Sequence, residues 1–107
     1  MVKEILTGAG FVENKTFKET RFLKPPKETY AIYTDSFTSR GADNRNLVRE
    51  HEYTIEMYSS KKDPESEAKI ESMLDTLGIE YDKDPCCWIN EEQLYQTVYL
   101  FNYNEKL

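Results

Sequence analysis

The chain has 107 residues, 38% of them hydrophobic and 32% charged, with a formal net charge of −6. That is the length of one domain, 1–107, and the balance excludes a disordered tail and a membrane-embedded bundle. No apolar run reaches the ~20 residues that cross a bilayer, and the acidic balance argues against specific nucleic-acid binding, which needs clustered Lys and Arg.

The start, Met1-Val2-Lys3-Glu4-Ile5-Leu6-Thr7, lacks the apolar stretch of a signal peptide, so a cytoplasmic chain is expected, at least until it joins something larger. Val2, Ile5 and Leu6 fall at helical spacing and predict a short N-terminal helix ending at Gly8 and Gly10, too short to stand without tertiary support. Lys15 to Leu23 alternates around Phe17 and Phe22 and predicts a weak strand, which Pro25 and Pro26 break. Thr29 to Phe37, rich in aromatic and β-branched residues, predicts a strong strand. Ser39 to Asn46 has the composition of a turn. Glu50 to Ser59 is a second strand, with Tyr53, Ile55 and Met57 on a buried face and Glu52, Thr54 and Glu56 on a wet one. The two strands and their polar connection make a long projecting hairpin.

Asp63 is a suitable N-cap, and Pro64 suits the first helical position. Glu65 and Glu67 complement the helix dipole, and Glu65 and Lys69 form an i,i+4 pair. Ile70, Met73, Leu74 and Leu77 make one apolar stripe, and Gly78 supplies the stop, so an amphipathic helix over about 64–77 lies on a sheet. Ile79 to Asp82 and, after Pro85, Cys86 to Ile89 are expected as two short strands; Asn90 to Gln93 is a polar turn. Leu94 to Tyr103 is apolar on both faces and predicts a long inner strand. The fold class is therefore α+β, with an antiparallel or mixed sheet.

No constellation of catalytic residues emerges. His51 is the single histidine, between Glu50 and Glu52, and is expected at the surface without a base's context. The adjacent Cys86 and Cys87 cannot easily bridge each other on a strand and are expected as reduced, partly buried thiols. There is no zinc spacing, calcium loop or phosphate-cradling glycine loop, so no metal or cofactor is expected and the chain is not expected to be an enzyme. Two interaction features stand out. Arg40, Asp43, Asn44, Arg45 and Arg49 form a candidate interaction loop on the hairpin. Of the eight tyrosines, Tyr30, Tyr33, Tyr58, Tyr99 and Tyr103 are candidate interface aromatics.

The runs Tyr30-Ala31-Ile32-Tyr33, Gly41-Ala42-Asp43-Asn44 and Tyr53-Thr54-Ile55-Glu56-Met57-Tyr58 resemble a family of small proteins of tailed bacteriophages and prophages of Gram-positive bacteria. Lys61-Lys62-Asp63-Pro64-Glu65 and Gln96-Thr97-Val98-Tyr99 extend the likeness, which covers Thr29 to Tyr103. The chain is similar to the tail-completion or tail-terminator components of the head–tail junction. That resemblance implies a curved sheet with flanking helices and a long hairpin. It also implies a ring, commonly a hexamer, that caps the tail tube and docks to the head connector. The subunit would then reside in the virion, and in the host cytoplasm before assembly. The family offers no catalytic residues to carry over, and the short first helix departs from its pattern. An acidic lumen would let DNA pass without sticking. The alternative, from the binding class, is a small intracellular adaptor or inhibitor that masks one partner protein.

Overall fold

A computed structural model describes residues 1–42 and 45–106, at 40, 42 and 45–47 by backbone alone. Among these residues the element order is α1 (Val2–Gly8), β1 (Phe17–Glu19), β2 (Tyr30–Ala42), β3 (Arg45–Ser59), α2 (Pro64–Thr76), β4 (Tyr81–Ile89) and β5 (Leu94–Lys106).

α2 begins and ends where its sequence says it should. The Asp63 carboxylate accepts from the backbone N–H of Ser66 at 3.1 Å, and Pro64 opens the helix. The same carboxylate accepts from Thr29 Oγ1 at 2.7 Å, which ties the start of the helix to the entrance of β2. These hydrogen bonds, helped by Lys69, outweigh the opposing effect of burial and hold the Asp63 carboxyl below its ordinary range. Gly78, at φ +69, takes the left-handed conformation just past the C-terminus. Ile70 and Leu74 are fully buried and Met73 packs against the core, but Leu77 is 38% exposed and lies outside the stripe predicted for it. The ion pairs of α2 run to the sheet, from Glu67 and Glu71 to Lys83, rather than along the helix.

The sheet is mixed and open, in the order β1-β2-β3-β5-β4. β1 runs parallel to β2, while β2 with β3, β3 with β5 and β5 with β4 are antiparallel. The final strand thus inserts between β3 and β4 and is the inner strand its two apolar faces predicted. Side chains alternate. Ala31 and Tyr33 on β2, Tyr53, Ile55 and Met57 on β3, and Tyr99 and Phe101 on β5 share the inner face. Val2, Ile5 and Leu6 of α1 and Ile70 and Leu74 of α2 join them in one connected core, so both helices pack on that face. α1 sits close to α2 because Gly8 has no Cβ: one built there would stand 2.5 Å from Met73 Sδ.

Four expectations need correction. β1 is only three residues long, because Thr20 takes a positive φ of 69° and turns the chain off the sheet. The expected turn over 39–46 is mostly strand, since β2 and β3 stay paired as far as Ala42 opposite Arg45. Asp43 and Asn44 lie outside the described residues. The two short strands expected around Pro85 are one strand, β4, with a register shift between Asp84 and Cys87. Proline is tolerated there because β4 is an edge strand and the irregularity falls at the residue that cannot donate. Finally, Cys86 is half-buried but Cys87 is exposed.

Candidate functional site

The two central strands are much longer than the helices that cover them. β3 has 15 residues, which at about 3.3 Å each reach roughly 50 Å. α2 has 13, which at about 1.5 Å each reach roughly 20 Å. One end of the sheet therefore extends past the helices, and the molecule measures 51 × 29 × 23 Å. β1 accompanies β2 only to Tyr33, and β4 accompanies β5 only to Phe101. Beyond those points β2, β3 and β5 continue as a three-stranded blade whose outer strands have no further pairing partner among the described residues.

A side-chain cluster replaces the hydrophobic core on the inner face of this blade. His51, 8% exposed, stacks flat on Tyr53 with ring centroids 5.2 Å apart. Its Nδ1 lies 2.8 Å from Asp35 Oδ1 on β2 and its Nε2 lies 3.2 Å from Glu105 Oε1 on β5. Burial disfavours the imidazolium, but hydrogen bonds and charge from the two carboxylates outweigh it, and the pKa of His51 is raised. With a proton on each nitrogen, the ring donates to both carboxylates and clamps the three strands together. The Arg49 guanidinium lies 4.7 Å over the Phe37 ring, with Nη1 3.8 Å from Glu105; its Nε is buried with no hydrogen-bond partner among the described residues. Phe37 is itself 51% exposed. The surface expectation for His51 is thus corrected: it is buried at the centre of a charged clamp.

The predicted interface aromatics divide into three places. Tyr33 and Tyr99 are core residues, 6% and 0% exposed, so packing and not a partner holds them. The Tyr99 hydroxyl donates to Glu71 Oε2 at 2.8 Å, and burial together with that bond pushes its pKa far up. Lys83 hydrogen-bonds the same carboxylate at 2.8 Å. Against the opposing effect of burial, these partners hold Glu71 below its ordinary range. Tyr30 and Tyr58 stack 5.3 Å apart on the other, open face of the sheet. There they line a cleft of about 480 Å³ with Phe22, Leu94, Arg21 and Glu92. Gln96 donates to the Tyr58 hydroxyl at 2.9 Å, and burial, with the charge of Glu92, raises the Glu56 carboxyl nearby. Tyr103 belongs to the blade, its ring centroid 6.4 Å from that of His51.

Of the predicted interaction loop, Arg40 and Arg45 lie in the paired backbone of β2 and β3, Arg49 lies within β3 on the blade, and Asp43 and Asn44 fall outside the described residues. The blade cluster of Asp35, Phe37, His51 and Glu105 was not singled out from the sequence. Its signal is the period-two pattern itself: two residues beyond Tyr33, Tyr53 and Tyr103 on the same face stand Asp35, His51 and Glu105.

Both nitrogens of His51 are engaged by carboxylates, and among the described residues no hydroxyl or thiol is hydrogen-bonded to it. Among the described residues no three His, Cys, Asp or Glu side chains converge as a metal site requires. None of the helices is long and apolar enough to cross a membrane, among the same residues. The arrangement is suited to holding strands in place and presenting their edges. No family model matches this chain, and no curated protein matches it at a significant level.

Proposed function

We propose that this chain is a structural subunit of a tailed-phage or prophage head–tail junction, of the tail-completion or tail-terminator kind, that assembles into a ring on the tail tube. The observation that carries the reading is the blade. Three strands extend past the core of this small domain, and there a charged clamp, not apolar burial, holds them side by side. Free strand edges are templates for contact with another chain. The residues that resemble the phage family, Tyr30 to Tyr33 and Tyr53 to Tyr58, lie where β2 and β3 cross the core, at the root of that blade.

Purified chain is mixed with tail tubes of the encoding phage or prophage and imaged by negative-stain electron microscopy, alongside light scattering of the chain alone at high concentration. Rings, or tubes capped at one end, are expected. A chain that stays monomeric throughout, ignores the tube, and instead forms a one-to-one complex with a single cytoplasmic protein overturns the reading in favour of an adaptor. Deleting 40–46 shortens the blade and is expected to abolish assembly while leaving the circular dichroism spectrum of the monomer intact.

A further inference from the structure

The two edges of the sheet carry opposite charge. Residues 15–27, which form β1 and the run that leaves it, contain Lys15, Lys18, Arg21, Lys24 and Lys27 against the single acid Glu19, a net +4. On the opposite edge, residues 80–91 contain Glu80, Asp82, Asp84 and Glu91 against Lys83, a net −3. Lys83 is already taken up by Glu67 and Glu71, so the outward balance is more acidic still. Among the described residues none of the five cations, and none of those four acids, forms an ion pair within the chain. In a protein with an overall charge of −6, a cationic edge is out of character.

Each edge also exposes a large apolar side chain beside its charges. Leu23, 81% exposed, follows β1, and Trp88, 44% exposed, stands on β4. An exposed tryptophan is a common anchor of protein contacts, and an apolar side chain bordered by charge has the make-up of an apolar centre with a polar rim. β1 and β4 themselves stand at opposite ends of the strand order, while Arg21 and Phe22 of the run that leaves β1 turn onto the open face of the sheet.

Resting on the ring reading above, we infer that the β1 edge of one copy docks against the β4 edge of the next copy in a head-to-tail contact. Such a contact joins unlike surfaces, so it repeats around a ring, whereas a two-fold contact stops at a dimer. The joint is made by side chains. β1 is too short to continue a ladder, and Pro85 with the register shift beside it interrupts the edge of β4.

Charge reversal tests this in full-length protein, read by sedimentation velocity. K18E/K24E/K27E and D82K/D84K are each expected to weaken self-association by about tenfold or more, and salt near 1 M, where the Debye length falls to about 3 Å, should weaken the native chain likewise. Mixing the two variants restores assembly, since the acid-edged copy alternates with the base-edged one, and combining both sets of changes in one chain restores it as well. Lys18 is half-buried and the other four residues are exposed, and unchanged circular dichroism spectra confirm folding. If the native chain forms rings but either single-edge variant assembles as well as it does, or the mixture stays dissociated, the edge contact is wrong while the ring reading stands. If the native chain never associates, with or without tail tubes, both are wrong.

Discussion

His51 sits between two carboxylates on neighbouring strands, and its raised pKa fixes the sign of a pH effect. The clamp contributes its full stability below the unfolded histidine pKa of about 6.5 and loses it as pH rises through the higher folded value. H51Q should therefore lower the melting temperature more at about pH 5.5 than at about pH 8.5, because the imidazolium that both carboxylates hold is present at the lower pH and is lost as pH rises through the raised folded pKa. Thermal melts at both pH values check this, and an NMR titration of the imidazole should place its pKa above the ordinary value. Glu71 and Asp63 act in the opposite direction. Both are held below the usual carboxylate range, so their stabilisation is present at neutral pH and is lost as pH falls through roughly 4 and below. Removing the Asp63 cap with D63A should cost about 1 kcal/mol by chemical denaturation at pH 7.

At the scale of elements, α2 was legible because its signals are local: an N-cap, a proline and a glycine each act within a few residues, and the structure places all three as expected. I70A should cost about 2–5 kcal/mol in urea denaturation, since Ile70 is wholly buried between the helix and the sheet. The strands were legible in their alternation and illegible in their ends. Composition marked 39–46 as a turn, but cross-strand pairing from β3 holds Ser39 opposite Arg49 and Ala42 opposite Arg45. Pro85 was read as a break because position at an edge is a tertiary fact that no local pattern contains. The clamp was hidden for the same reason. Asp35, His51 and Glu105 are far apart in sequence and meet only through the registers of β2, β3 and β5. Tyrosines read as contacts for a partner were equally suited to a core, and only burial separated Tyr99 from Tyr103.

At the scale of the molecule, the radius of gyration of 15.0 Å exceeds the roughly 13 Å expected of a compact domain of this length. The excess comes from the blade, which lies beyond the helices and outside the core. One consequence follows for the free chain. Amides of β2 over 34–39 and of β5 over 102–106 should exchange with deuterium far faster than those of Ile55 and Tyr99, because among the described residues each outer strand has one unpaired side there. Hydrogen exchange with mass spectrometry or NMR resolves the two sets, and uniform protection along β2 would contradict the geometry.

The chain contains one tryptophan, and it stands on the acidic edge with its ring 4.9 Å from that of Tyr95. Trp88 is thus a built-in optical reporter. Its emission should shift to the blue when a neighbouring copy covers that edge and water leaves the indole, with no dye or tag attached. A titration of fluorescence against protein concentration would follow assembly in the native sequence, and iodide quenching would measure how completely the indole is sealed.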